Sequence, residues 1–129
     1  MTRPSPGDPR QTLGRRGERL AAEFLQRAGL ILLERRFRLR CGEIDLIALA
    51  GDQIVFVEVK TRSGRGYGHP GESVTPAKRR RMARTALAFL SGRGWQERPC
   101  RFDVVEVLDI RGKHRIRHIP DAFRLWDTG

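Results

Sequence analysis

The sequence predicts an α/β domain with the element order αβββαββ, and three observations predict it. Apolar residues recur at helical spacing in two separate stretches, over 12–28 and 76–90. Between them lie three runs with strand character, 30–39, 43–49 and 54–61. Two more strand-like runs follow, at 101–109 and 114–119, and no segment repeats another. A chain of 129 residues is sized for one domain with a modest core.

Residues 1–11 hold three prolines and read as a mobile N-terminal tail, which leaves 12–129 as the single domain. In the first helix Leu13, Leu20, Ala21, Phe24, Leu25 and Ala28 form the buried stripe, with Thr12 as N-cap and Gly29 as the stop. Arg15, Arg16, Arg19, Glu23 and Arg27 project away from that stripe. Glu18 sits on its edge, one turn before Ala21 and Ala22. A surface pairing with a neighbouring arginine would also account for it.

The run at 54–61 is the strongest strand signal, and a tight turn over 50–53 joins it to the strand before it as a hairpin. A symmetric loop centred on Gly51 and Asp52 sets the register. Asp45 then lies opposite Glu58, and Glu43 opposite Lys60. Cross-strand partners share a face, with Cβ atoms ~4.5–5.5 Å apart. Asp45, Glu58, Lys60 and, as a supporting member, Glu43 therefore fall on one face, while Val55, Val57 and Val59 point into the core.

The glycine-rich segment 63–71 reads as a loop, without the Gly-Lys-Ser/Thr of a P-loop. Thr75 then caps a second helix with Pro76 at its first position. Its stripe is Met82, Ala83, Ala86, Leu87 and Leu90; Lys78 lies beside Met82, and Arg79, Arg80, Arg81 and Arg84 fan around its start. Residues 121–125 read as a terminal turn.

The net charge is +11, from 26 Lys and Arg against 15 Asp and Glu. Such an excess favours a polyanionic partner: nucleic acid, a membrane surface or an acidic protein. Its distribution is uneven. Residues 1–40 carry ten arginines and four acids; 41–59 carry four acids and no cation; 60–84 carry eight cations and one acid. An acidic block between basic blocks suits carboxylates that hold a metal ion bridging to phosphate. Only Lys60, Lys78 and Lys113 are lysines among the 26 cations, and lysine, unlike arginine, shifts its pKa readily on burial. No apolar run approaches the ~20 residues of a membrane span. The first residues lack the apolar stretch of a signal peptide, and Cys41 and Cys100 form no CxxC pair, so the expectation is a soluble cytoplasmic protein without a zinc site or disulfide framework.

Two opposed carboxylates repel unless a cation, a shared proton or solvent intervenes. Oxygen ligands at this spacing suit Mg²⁺ or Mn²⁺. A lysine beside them can orient or deprotonate a water and stabilise developing negative charge. Asp45, Glu58 and Lys60 thus have the parts for metal-assisted phosphodiester hydrolysis. A half-exposed strand in which Lys60 neutralises Glu58 and Glu43 has the same pattern.

Gly42-Glu-Ile-Asp-Leu-Ile-Ala48 followed by Phe56-Val-Glu-Val-Lys-Thr-Arg62 resembles the PD-(D/E)xK nuclease signature. The chain resembles, more narrowly, the YraN-like family of small bacterial proteins, related to archaeal Holliday junction resolvases. Gly14-x-x-Gly17-Glu18, Gly68-x-Pro70-x-x-x-Val74, Lys78, Arg101-Phe-Asp-Val-Val105 and Arg117-His-Ile-Pro-Asp-Ala-Phe123 carry the likeness over about residues 12–125. The resemblance implies a restriction-endonuclease-like mixed β-sheet flanked by helices. It implies that Asp45 and Glu58 ligate the metal, that Glu18 completes the site, that Lys60 acts on the attacking water and that Lys78 reaches phosphate. Arg62, Arg79, Arg80 and Arg81 are the further candidate nucleic-acid contacts.

The function expected is a Mg²⁺- or Mn²⁺-dependent endonuclease acting on branched or structured DNA, with RNA left open as substrate. Symmetric cleavage of a junction needs two sites, so a homodimer is an expected partner arrangement, and a membrane is not. A non-catalytic nucleic-acid-binding module with the same fold, or a basic domain that meets an acidic protein, are the rival classes. Asp103 is expected to be structural, paired with Arg101 or capping. His69, His114 and His118 are expected at the surface or in loops, and Cys41 lacks a partner for nucleophilic work. Tyr67 could stack on a base, but aromatic residues are only 7% of the chain, which argues for backbone contact over a stacking-based single-strand binder.

Overall fold

The computed structural model describes residues 9–63, 74–110 and 113–124. Its elements run α1 (Pro9–Arg27), β1 (Ile31–Leu39), β2 (Gly42–Ala50), β3 (Gln53–Ser63), α2 (Pro76–Arg93), β4 (Cys100–Ile110) and β5 (Lys113–Phe123). The expected αβββαββ order is present. The five strands form one sheet in the order β1-β2-β3-β4-β5. Only β3 and β4 are parallel; the other neighbours are antiparallel. A parallel neighbour requires a crossover, and α2 supplies it. The mixed sheet with flanking helices is consistent with a restriction-endonuclease-like fold.

Each helix covers one face of the sheet. On the α1 side Ala21, Ala22 and Leu25 pack on Leu46, Ala48, Val55, Val57, Val105 and Val107. On the α2 side Met82, Ala86, Phe89 and Leu90 pack on Ile44, Ile47, Ile54, Phe56, Phe102 and Val104. Phe56 stacks on Phe102 and Phe102 on Phe123, with ring centroids 5.3 and 4.6 Å apart. Burying each such ring contributes about 1.5–3 kcal/mol. Period-2 alternation thus sends apolar residues to both faces of β2, β3 and β4, as in a sheet covered on both sides.

Several sequence expectations shift. α1 begins at Pro9, so Thr12 lies inside the helix and 9–11 belong to it rather than to the tail; residues 1–8 lie outside the described residues. Proline suits a first turn, where no N–H is needed. Leu87 is 53% exposed, and Thr85 and Phe89 take its place in the buried stripe of α2. The stretch from Asp121 to Phe123, expected as a turn, continues β5. Asp121 has φ 52° there, and its N–H is held by the Asp103 carboxylate. Most of the glycine-rich loop, with Tyr67 and His69, falls outside the described residues.

Two glycines set the helices close to the sheet. A Cβ on Gly17 would collide with the Thr61 side chain, so α1 rests directly on β3 next to Lys60. A Cβ on Gly42 would meet Thr85 Oγ1 at 2.9 Å, so the start of β2 lies against α2. Gly14, one turn before Gly17, has nothing within 4 Å. Gly17→Ala is therefore expected to destabilise the protein by roughly 1–3 kcal/mol through overpacking. Gly14→Ala, in the same helix, should stabilise it by about 0.5–1 kcal/mol through helix propensity. Thermal unfolding of the two variants checks the pair; equal Tm shifts would refute the close approach at Thr61.

Candidate active site

The hairpin register is the expected one. Ala50 pairs with Gln53, Leu49 with Ile54, and so on to Leu46 with Val57, across a turn in which Gly51 has φ 62°. The β2–β3 ladder stops at Leu46 and Val57, although β2 extends to Gly42 and β3 to Ser63. Beyond that pair the strands fork, and Asp45 and Glu58 are the first residues past the fork. On the other side of β2 the β1–β2 ladder keeps its register here but has a gap. The β1–β2 ladder pairs Arg35 with Leu46 and Phe37 with Ile44 but skips Arg36 and Asp45. Leu46 belongs to the α1-side core and Ile44 to the α2-side core, so the chain turns over at Asp45. Arg36 has φ 52°, a left-handed conformation that costs about 1–2 kcal/mol in a non-glycine residue. The irregularity aims Asp45 out of the ladder.

Asp45 Oδ2 accepts the Val59 N–H at 2.8 Å, a bond that a regular ladder would have given to backbone. Burial, and then the nearby Glu58 carboxylate, push its pKa up from 3.8 to about 7, against the lowering effect of the Val59 N–H. Glu18 adds a smaller push in the same direction. Glu58 is 5% exposed, so of the three ways to relieve the repulsion solvent is the one closed to it; α2 covers that face. Lys60 Nζ lies 3.5 Å from Glu58 Oε1, and Lys78 Nζ donates to the same oxygen. Lys60's pKa is lowered by burial and by the neighbouring Lys78, against the pull of Glu58. Lys78's pKa is raised: burial works against it, but the hydrogen bond to Glu58 prevails. The two lysines therefore differ. Lys78 holds its proton firmly, and Lys60 releases one more readily.

Glu18 stands where α1 meets the fork, bonded to Arg36 Nε at 2.7 Å. Its arginine partner comes from β1 rather than from a neighbouring position on the helix, and it lines a cavity together with Asp45. Glu43 is not opposite Lys60, because the ladder does not reach it; it pairs with Arg38 at 3.3 Å. Among the described residues, no three His, Cys, Asp or Glu side chains form a ready-made metal-ligand group. Two carboxylates are nonetheless enough for Mg²⁺ when substrate phosphate and water complete the shell. The mutually repelling pair of half-buried Asp45 and buried Glu58 fits such a cation chemically.

Of the other basic candidates, Arg79 donates to Val74 O at 3.0 Å and lies over the Phe123 ring, and Arg62 Nε lies 4.0 Å from Glu106. Arg80 and Arg81 are exposed. Sequence reasoning missed Glu106. It is fully buried on β4 opposite Lys60, and neither carboxylate oxygen has a hydrogen-bond partner. Its signal was a single charge inside the apolar run 104–108. Asp103 is structural, as expected. It accepts from Arg101 at 3.0 and 3.2 Å, from the Asp121 N–H at 2.9 Å, and lies 2.7 Å from His118 Nε2. Burial acts to raise its pKa, but His118 and Arg101 bring it below the usual value. His118 is thus a half-buried strand residue, not a loop residue. Cys41 Sγ contacts Thr85 Oγ1 at 3.5 Å.

The family model described as "Uncharacterised protein family UPF0102" matches residues 17–107, a span that includes Glu18, Asp45, Glu58, Lys60 and Lys78. A UPF0102 protein of Symbiobacterium thermophilum is 54% identical over 112 residues, covering 86% of this chain and 95% of the relative. A UPF0102 protein of Rhodococcus jostii is 50% identical over 114 residues, with coverage of 86% and 95%. A UPF0102 protein of Geobacter sulfurreducens is 46% identical over 114 residues, with coverage of 88% and 89%. Among the described residues no helix is long and apolar enough to cross a membrane.

The raised pKa of Asp45 makes a signed prediction. The folded protein keeps a proton there between pH 3.8 and about 7 that the unfolded chain has lost. This contribution to stability falls as pH rises through that window and stays low above it. Asp45→Asn retains an oxygen for the Val59 N–H and removes the titration. In EDTA the variant should be more stable than wild type at about pH 8, by on the order of 2 kcal/mol, with the gap closing towards about pH 4. Thermal unfolding across that range reads the difference; a gap independent of pH would refute it.

Proposed function

The chain belongs to the UPF0102 family, the YraN-like family that its motifs resemble, and on that footing we propose that it is a metal-dependent endonuclease acting on DNA. The observation that carries the reading is the pair at the strand fork, half-buried Asp45 beside buried Glu58, flanked by Lys60 and Lys78. A protein gains nothing in stability by burying two carboxylates against each other. The arrangement makes sense as a site for a hard cation, Mg²⁺ or Mn²⁺, with Glu18 near enough to contribute once released from Arg36. Such an ion, when bound, polarises a phosphodiester and lowers the pKa of water.

The chain's own residues do the rest. Asp45 and Glu58 fix the acceptor oxygens, and the Val59 N–H keeps Asp45 in its rotamer. Lys60, with its lowered pKa, is suited to orient water and take its proton as the water oxygen bonds to phosphorus. Lys78, with its raised pKa, is suited to stay cationic and stabilise charge on the phosphoryl oxygens or on the departing oxygen. The P–O bond to the departing oxygen breaks, that oxygen takes a proton from solvent while Lys60 returns its proton to solvent, and the products are a phosphomonoester and a hydroxyl. The low aromatic content, 7%, favours backbone contact over base stacking, and so a substrate chosen by shape, such as branched or structured DNA. Cutting both strands of a junction would take two copies of this site, as in a homodimer.

One observation favours a second reading, a nucleic-acid-binding module without catalysis: Glu58 is already neutralised by two lysines. Labelled four-way junction, flap and linear duplex DNA, incubated with Mg²⁺, Mn²⁺ or EDTA, separates the two. The expected result is metal-dependent cleavage that Glu58→Gln and Lys60→Ala each reduce by roughly 10²–10³-fold. Binding without cleavage on every substrate would establish the second reading, and cleavage undiminished in both variants would remove this site from the reaction.

A further inference from the structure

The basic cluster expected to grip phosphate lies at the start of α2, and the fold uses much of it internally. Lys78 is bonded to Glu58, Arg79 to Val74 O, and Arg62 lies beside Glu106. A second concentration of positive charge lies on the α1 side of the site. α1 and β1 enclose a groove of about 330 Å³ lined by Arg15, Glu18, Arg19, Arg35, Arg36 and Leu46. Four arginines there face one glutamate, and Arg36 is the one bonded to it. Among the described residues, Arg15, Arg19 and Arg35 have no carboxylate partner.

Cations gathered without counter-charge raise the local potential and oppose folding unless an anion is recruited. The groove does not stand alone. It shares Arg15, Glu18 and Arg36 with a second cavity of about 390 Å³, which reaches Gly14, Arg38, Glu43 and Asp45. An anion in the groove would therefore be continuous with the fork. Guanidinium groups match phosphate oxygens with paired, fixed-geometry donors. Gly14 leaves open space at the helix surface beside the cavity that reaches Asp45, where backbone could pass.

The geometry points to the α1–β1 groove as a second phosphate-binding site, one that holds the nucleic-acid backbone next to the phosphate at Asp45 and Glu58. The strand is then gripped from both sides of the site, by Arg15, Arg19 and Arg35 on one flank and by Arg80 and Arg81 on the other. This inference rests on the nucleic-acid reading of the site and is independent of whether that site hydrolyses anything.

The test is binding of the full chain to fluorescent four-way junction and duplex DNA in EDTA, followed by anisotropy over a series of KCl concentrations. Arg19→Gln/Arg35→Gln removes two groove charges. Arg27→Gln/Arg98→Gln removes two exposed charges beyond the groove, and Arg19→Lys/Arg35→Lys keeps the charge. Circular dichroism and Tm establish that each is folded. Each lost phosphate contact should make the slope of log K against log salt shallower by about 0.9, so the groove variant should shift by about 2. Its affinity at about 0.15 M salt should fall ten- to a hundredfold, while the control pair keeps the wild-type slope and the lysine pair most of it. Equal shifts in groove and control pairs, or none in either, overturn the inference. So does poly-glutamate that binds as tightly as DNA and depends equally on Arg19 and Arg35, since the groove would then serve an acidic protein. A parallel Mg²⁺ cleavage assay keeps the two proposals distinguishable. A groove-specific slope change in a protein that cuts nothing leaves this inference standing and removes the catalytic one; cutting by a groove variant with unchanged binding does the reverse.

Discussion

The structure turns on one unfavourable contact: two carboxylates, half-buried Asp45 and buried Glu58, held together where β2 and β3 part. Like charges at this separation do not persist without compensation, and the surroundings supply it piecemeal. Val59 donates its N–H to Asp45, two lysines crowd Glu58, and Asp45 is left with a pKa near neutrality, about 7. The groups around the pair come from several elements. β3 brings Glu58, Val59 and Lys60, α2 brings Lys78, and α1 brings Glu18 with its arginine partner from β1. The fold can be read as the means of holding that contact in place.

Two close approaches fix how far those elements stand from the fork. Gly17 lets α1 rest on Thr61, and Gly42 lets β2 sit against Thr85 of α2. Both contacts involve residues with no ionisable chemistry. They matter because Glu18 follows Gly17 and Lys78 lies two turns before Thr85. A helix displaced by the width of a methyl group would carry its charged side chain with it. The strain at Arg36 works in the same sense, since the bend there is what takes Asp45 out of the ladder.

The hairpin was legible in the sequence because a two-residue turn leaves only one register for its strands. That alone brought Asp45 and Glu58 together, and the 3.6-residue periodicity of the helices put Glu18 and Lys78 on inward-leaning faces. Glu106 was not legible. It reaches the site through the parallel β3–β4 pairing, and no local pattern announces which strand lies beside which after a crossover. Leu87 and Phe89 were exchanged for a similar reason: the orientation of a helix depends on the sheet it covers, and the apolar periodicity of an arginine-rich helix is weak. The Asp103–His118 contact joins neighbours whose register contains an irregularity between Phe102 and Val104, and Glu43 lost its expected partner to a ladder that ended early.

The sheet is open at both ends of its strand order, with β1 and β5 outermost. An outer strand is a template on which another chain can add, and charge along it is one defence. β1 carries Arg35, Arg36 and Arg38, and β5 carries Lys113, Arg115 and Arg117. On the reading proposed above, the β1 arginines that would attract a polyanion would also keep copies of this protein from pairing edge to edge. Affinity and colloidal behaviour would then be coupled: neutralising β1 would weaken the proposed hold on an anion and, by the same change, remove a guard against self-association.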